Sequence, residues 1–362
     1  MTKTKRLLAL VQLPPPIHGV SRANQVLLQS GVLRQYFDVR VINLSVGGTK
    51  ARRGQLGLNR ITYGLKVIVQ MVLMLPRTDL VYFTPALQGA ALWRDTIIGR
   101  LIRLFGVPYI LHPHSGGIGT NDGGKSFSRP LNQAVKELFA GAEKVVLLHE
   151  SIRSGYDGFI SDGQKTVVVG NGVPGLPPHP APATGEPLRL GFLGNLISYK
   201  GFHHAVDVMA ELPGAVLDVV GDFSSTSYEQ QIRDQIDKLG IADRIIFHGR
   251  KDPDDAWEPL ARIHFLLFTS DWREGLPLVW LESMMRGVPV ASFRIGAWSL
   301  LEEVAPQPLA TIGRSSELAT QIEVTFTDQD HYVALRSKVA QHAHANFSSA
   351  QWAQRIAEAL RS

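Results

Sequence analysis

Residues 270–290, SDWREGLPLVWLESMMRGVPV, follow the apolar run FLLFTS at 265–270 and lead into another apolar segment. Read outward, the stretch is strand, loop, helix, strand. Pro277 suits a first helical turn, and Leu278, Leu281 and Met285 recur at helical spacing, so a helix is expected to begin near Leu276. Its first amides have no partner within the helix and point into the loop, where they attract phosphate together with the helix dipole. Gly275 lets a ligand approach the backbone closely. Glu282, one turn in, can accept hydrogen bonds from two ribose hydroxyls, and Glu274 can reach the hydroxyls of a sugar carried by the phosphate. By itself a Glu-x7-Glu spacing more often means two exposed acids on a surface helix, so the rest of the chain has to decide.

The 362 residues suit two domains, each able to bury its own core. Cysteine is absent, which excludes disulfides, thiolate zinc sites and cysteine nucleophiles and is compatible with a reducing compartment. The start, MTKTKRLLALVQLPPP, carries prolines 14–16 in place of a small-residue cleavage site and reads as a first strand. No apolar stretch reaches the roughly 18–20 residues that span a bilayer; the nearest, LKVIVQMVLML at 65–75, is interrupted by Lys66 and Gln70.

Charge is shared unevenly. Through Gly185 there are 21 Lys and Arg against 9 Asp and Glu, and beyond it 16 against 23, leaving the first half at +12 and the second at −7. Lys50, Arg52, Arg53, Arg60 and Lys66 precede or enter the apolar segment, and Arg94, Arg100 and Arg103 recur at roughly helical spacing. A basic helix beside a long apolar one is the pattern of a protein lying on an anionic membrane face, with a merely solvated basic face as the alternative. Nucleic acid is not expected, because no basic-aromatic platform or helix-turn-helix cue occurs.

Strand-like and helix-like segments alternate throughout, so the expected class is α/β, with parallel sheets covered by helices on both faces. RLLALVQL, DVRVINL, LVYFTPA, VPYILHPH and KVVLLHE supply strands before the Pro/Gly-rich linker, and LRLGFLGN, AVLDVVGD, RIIFHGR, HFLLFTS and PVASFRI supply strands after it. The expected division is a Rossmann-like domain at 1–172, a linker at 173–187, a second Rossmann-like domain at 188–345, and a C-terminal helix at 346–362 that can cross back to the first domain. Two doubly wound halves create a cleft, with ligands beyond the carboxyl ends of the strands. The glycine-rich interval 119–130, GTNDGGKSFSRP, reads as a loop that moves over a substrate or as a plain surface loop.

An ordered set of motifs resembles the retaining GT-B glycosyltransferases of the family usually numbered four (glycosyl transferases group 1). PPPIHGVSRAN is similar to the family's glycine-containing loop and puts Gly19 near the donor. VPYILHPHS resembles the strand whose terminal histidine, here His114, lies by the transferred sugar. VVVGNGV resembles the turn closing the first domain, and GFLGNLISYKGFHHAV the opening of the second, placing Lys200 on the donor diphosphate. EGLPLVWLESMMRGVPV is close to the family's Glu-x7-Glu segment.

The resemblance implies a retaining transferase that uses a nucleotide-diphosphate sugar, UDP- or GDP-linked, with no cofactor and no metal. It implies catalytic roles for His114, Lys200 and Glu274, and donor binding by Gly19, Asn195, Lys200, Arg250, Gly275, Leu276, Leu278 and Glu282. The implied acceptor is a saccharide, expected from charge and the apolar segment to be lipid-linked, at the cytoplasmic face of the inner membrane in cell-surface polysaccharide or glycolipid synthesis. One departure stands out: family members often carry an arginine where this chain has Asn195, which leaves three alternatives, slower catalysis with an uncharged amide, Arg250 or Arg273 approaching from another loop, or a binding fold without turnover.

Rival readings are a non-catalytic nucleotide-sugar binder of the same fold and, further off, an epimerase or dehydrogenase. The latter should show a glycine-rich fingerprint after the first strand, where QLPPPIHGVS has proline. Asp252-Pro253-Asp254 has the spacing of a metal-binding acidic pair, but Asp254 or Asp255 is expected instead to cap a helix over AWEPLARI. His342, His344 and the pair His203-His204 lack partners at metal-ligand spacing and read as solvated or packed helix residues.

Overall fold

The computed structural model describes residues 4–45, 56–87, 89–118, 128–161, 163–182 and 185–362. Residues 119–127, and with them most of the interval read as a loop over a substrate, lie outside the described residues, as do Lys50, Arg52 and Arg53. The chain divides into two compact units, Met1–Pro174 with Phe347–Ser362, and Gly175–Asn346.

The first unit is built on a six-stranded parallel sheet: β1 (Lys5–Val11), β2 (Phe37–Asn43), β3 (Leu80–Phe83), β4 (Tyr109–Leu111), β5 (Lys144–Leu147) and β6 (Thr166–Val168). Their order is β2-β1-β3-β4-β5-β6. The central strands are apolar and buried over most of their length, as a sheet covered on both faces requires. The order reverses between β1 and β3, and Asn24 bridges the two strand ends by donating to Gln12 O at 3.1 Å and Thr84 Oγ1 at 3.2 Å.

The helix Ser349–Arg361 completes this unit. Trp352 and Ile356 bury its inner face, and Lys144 closes its end by donating to Ala359 O (2.7 Å) and Ser362 Oγ (2.9 Å). Asn171-Gly172-Val173 receives the helix: a Cβ on Gly172 would stand 2.5 Å from Trp352 Cβ, and Ser349 N donates to Val173 O at 2.8 Å. Only glycine permits that approach.

The second unit carries β7 (Arg189–Leu193), β8 (Val216–Val220), β9 (Ile245–Phe247), β10 (Phe265–Phe268), β11 (Val290–Phe293) and β12 (Leu309–Ala310), ordered β12-β11-β10-β7-β8-β9 and wholly parallel. This is a doubly wound sheet whose direction of winding reverses between β7 and β10. Both sheets are therefore α/β, as the alternation of segments indicates.

Three expectations need correction. The helix after residue 270 begins at Leu278; Pro277, with φ −63° and ψ 129°, stands outside it as the N-cap. No helix forms over AWEPLARI, 256–263. Successive tight turns, Asp255 N to Asp252 O and Glu258 N to Asp255 O, carry the chain there, and the buried Trp257 and Leu260 fix them. Arg94 does not join a basic face: it turns inward to Asp95 (2.7 Å) and to Leu44 O (2.7 Å), because the fully buried Asp95 carboxylate needs a charged partner.

Candidate functional site

In the second unit the two loops that flank the sheet's switch point are the one after β7 and the one after β10. Ligands of doubly wound sheets bind there, because the diverging loops leave a crevice at the carboxyl ends of the strands. The first loop carries Asn195 and Lys200, the second Glu274 and Gly275. Backbone contacts tie the loops together. Asp271 N donates to Tyr199 O at 3.1 Å, and Thr269 Oγ1 donates to Gly201 O at 2.8 Å. Gly201 sits at φ +67° so close that a Cβ would stand 1.8 Å from Thr269 O.

That lock sets Lys200 Nζ 2.5 Å from Glu274 Oε1, with Ser270 Oγ donating to the same oxygen at 2.8 Å. Lys200 and Glu274, assigned separately from sequence, are thus one ion pair, half-buried and reachable from solvent. A cation and an acceptor side by side can receive the two adjoining parts of a sugar phosphate, an anionic oxygen and a hydroxyl.

Glu282 lies on the second turn of the helix Leu278–Met285 and accepts from Trp257 Nε1 at 3.1 Å. Arg286 spans the same group, its guanidinium 4.5 Å from the Trp257 ring centre and its Nη1 donating to Glu282 O at 3.1 Å. Burial lowers the Arg286 pKa, opposed by the Glu282 charge. No side chain caps the helix, so its first amides, at Leu278 and Val279, have no intrahelical acceptor. Leu276 lies before the helix and is buried. Gly275 is buried too, with its carbonyl accepting from Ala297 N at 2.9 Å.

Asn195 is exposed and Leu196 N, beside it, donates to Asp222 O at 2.9 Å. Arg250, also exposed, follows β9 at the sheet edge, its amide held by Asp222 Oδ1 at 3.1 Å. Both stand at carboxyl ends of strands, on loops that share Asp222.

The first unit holds the remaining two residues. Gly19 opens the helix Gly19–Gln29, where His18 and Ser21 cap one another, and a Cβ at Gly19 would meet nothing within 4 Å. His114 follows β4 and its ring lies 4.3 Å from that of His112, which shares a 2.6 Å hydrogen bond with the Tyr82 hydroxyl. The Nε2 atoms of both histidines are buried without a hydrogen-bond partner among the described residues. Burial, with a contribution from His18, lowers the His114 pKa to about 4, and burial, with a contribution from His114, holds that of His112 well below its ordinary value. His114 is therefore a neutral imidazole near pH 7, able to exchange one hydrogen bond without adding charge.

Four contributors escape the sequence. Trp257 and Ser270 position the two glutamates through side-chain bonds that no spacing announces. Gly296, at φ +58°, lies under the Glu274 loop, where a Cβ would stand 2.5 Å from Glu274 O. Asp271 meets His203 and His204, a trio whose donor atoms all lie within 4.8 Å of one another.

Residues 180–339 match the family model Glycosyl transferases group 1. The 2-deoxystreptamine glucosyltransferase of Streptomyces kanamyceticus is 31% identical over 152 residues, 41% of this chain and 38% of that protein. The lipopolysaccharide core biosynthesis glycosyltransferase LpsE of Rhizobium meliloti is 30% identical over 157 residues, 42% of each. The matches to these relatives span well under half of their length. Among solved structures, HepE of Anabaena in complex with UDP superimposes with a TM-score of 0.74 at 20% identity, covering 98% of this chain and 99% of that one. The chain thus has the GT-B architecture, and most of its second unit matches the Glycosyl transferases group 1 model.

Proposed function

We propose that the protein is a retaining glycosyltransferase that moves a sugar from a nucleotide-diphosphate donor, UDP- or GDP-linked, to a saccharide acceptor. The observation that carries the reading is the Lys200–Glu274 pair at the switch point. As the bond between sugar and diphosphate breaks, negative charge grows on the leaving phosphate. Lys200 and the amides at Leu278 and Val279 stabilise that charge more than they stabilise the bound donor, which is what lowers a barrier. Glu274 holds sugar hydroxyls, and Glu282 the ribose. His114 offers its neutral ring to the transferred sugar, with Gly19 leaving space for the donor and Asn195 and Arg250 at the phosphates.

The acceptor in this reading is lipid-linked and the protein works at the cytoplasmic face of a membrane. Supporting it, the helix Leu56–Met74 exposes Leu65, Val69 and Leu73 at successive turns beside Lys66, and the helix Gly89–Leu104 exposes Trp93, Ile97 and Leu104. Among the described residues no helix is long and apolar enough to cross a membrane. The relative named for lipopolysaccharide core biosynthesis fits the same setting.

Calorimetric titration with UDP, GDP, ADP and CDP tests the core of the reading, followed by the matching nucleotide sugars with and without acceptor. Selective binding of one diphosphate and turnover of its sugar are expected. Folded protein that binds none of them overturns the proposal. Flotation with anionic vesicles at low salt tests the membrane reading, which fails if the protein stays unbound.

A further inference from the structure

We propose that His203, His204 and Asp271 form a site for a borderline divalent metal ion of the zinc class, joining the helix that follows Lys200 to the loop that carries Glu274. The inference does not rest on the reading of the donor site.

Neighbouring residues on a helix normally point about 100° apart and do not face each other. At 203 and 204 they do: the two rings lie 4.0 Å apart between centroids. The left-handed Gly201 starts the helix Phe202–Ala210 abruptly, Phe202 turns into the core, and both imidazoles emerge on the side of the β10 loop. His204 Nε2 lies 3.2 Å from Asp271 Oδ1 and His203 Nε2 lies 3.8 Å from Asp271 Oδ2. Two ring nitrogens of the same type thus converge on the two oxygens of one carboxylate.

The far side of each ring is also provided for. His203 Nδ1 is 3.3 Å from the Tyr228 hydroxyl, and His204 Nδ1 faces Asp207 Oδ2 at 3.8 Å, with Asp207 itself held by Gln235 at 2.6 Å. Metal-ligating histidines commonly give their second N–H to such a partner, which fixes the tautomer and leaves the other nitrogen's lone pair for the ion. With an ion bound, the coordinating nitrogens would both be Nε2. Two imidazoles and one carboxylate suit Zn2+, Co2+ or Ni2+, not the all-oxygen shells of Mg2+ or Ca2+. With bonds of about 2.0–2.2 Å the donors must close to roughly 3.3–3.5 Å, a change side-chain torsions supply, and water fills the remaining position. All three side chains are partly exposed, so an ion can enter.

The loops are already pinned by Asp271 N to Tyr199 O and by Ser270 Oγ to Tyr199 O at 3.2 Å. An ion at this point adds a second clasp beside the Lys200–Glu274 pair.

Titration of tag-free, full-length protein with Co2+, followed by visible absorption, tests the site in the absence of any nucleotide. One equivalent is expected to give a saturable ligand-field band that Zn2+ displaces. His204→Gln and Asp271→Asn should each weaken Co2+ binding at least about tenfold, equivalent to losing roughly 1.4 kcal/mol, whereas His342→Gln should leave it unchanged. X-ray absorption of the wild-type Zn2+ complex gives a check that needs no variant, with two imidazoles expected around the ion. The proposal is overturned by the absence of saturable binding in the wild type, by stoichiometric binding retained in both His204→Gln and Asp271→Asn, or by a coordination sphere without two imidazoles.

Discussion

Trp257 and Glu282, from different segments of the second unit, share a hydrogen bond of 3.1 Å, and the bond fixes which way the Glu282 carboxylate points. Trp257→Phe keeps an aromatic ring under Arg286 and removes the N–H together with the five-membered part of the indole. The loss of one neutral donor is expected to raise the Kd for the nucleoside diphosphate about threefold to tenfold. Glu282→Ala removes the acceptor itself and should cost about tenfold or more. Calorimetry reads both, and an unchanged Kd in Glu282→Ala takes that residue out of the site.

Glu274 and Lys200 touch, yet their losses should look different. Glu274→Ala is expected to abolish transfer while nucleoside diphosphate affinity stays within about twofold, because in the proposed reading its partner on the donor is the sugar. Lys200→Met should weaken diphosphate binding about tenfold through the missing charge. Full activity in Glu274→Ala would remove it from catalysis.

Asn195 offers an amide where a cation would bind phosphate more strongly. Asn195→Arg, at an exposed position, should tighten diphosphate binding several-fold, roughly 1 kcal/mol, with the gain shrinking as salt rises. A salt-independent change, or none, would place Asn195 away from the phosphates.

Gly296 supports the Glu274 loop from below. Gly296→Ala must place a side chain at φ +58° and 2.5 Å from Glu274 O. The left-handed backbone alone costs about 1–2 kcal/mol, and the clash adds to it. Lower thermal stability and loss of transfer together are expected; a variant of unchanged melting temperature and activity would show that the loop tolerates displacement.

Burial lowers the folded-state pKa of His114, His179 and His264 to about 4 from an ordinary value of 6.5, and holds that of His112 well below 6.5. Between those values the unfolded chain binds protons that the folded one does not, so stability must rise with pH across that window. It is present in full above pH 6.5 and is lost as pH falls toward 4. Urea midpoints should therefore drop between pH 7 and pH 5, and His114→Gln should flatten part of the slope. A midpoint independent of pH over this range would contradict the burial.

The parallel sheets were legible because their strands are short, continuous apolar runs with little alternation, the mark of strands buried on both faces. Val290–Phe293 and Phe265–Phe268 are of this kind. The Glu-x7-Glu segment was legible because loop, helix and both acids are contiguous. What the sequence hid is contact at a distance. Pro277 fits a first helical turn and an N-cap equally well, and only the closure of the Gly275 carbonyl on Ala297 N selects the second. Arg94 shares the spacing of Arg100, but the burial of Asp95 draws it inward. His203 and His204 gave no metal pattern, because Asp271 reaches them only once β10 lies beside β7.

The helix Ser349–Arg361 belongs to the first unit although it follows the second in sequence, and Lys144, Gly172 and Trp352 fix it there. In chain order the second unit is an insertion within the first. Residues 175–346 can close on contacts of their own, whereas the first sheet reaches its finished surface only after a segment separated from it by that whole insertion has docked. Contacts of such large sequence separation are slow to form. During synthesis, then, the downstream unit is the one positioned to mature first, and Trp352 and the groove at Gly172 remain in water until it has.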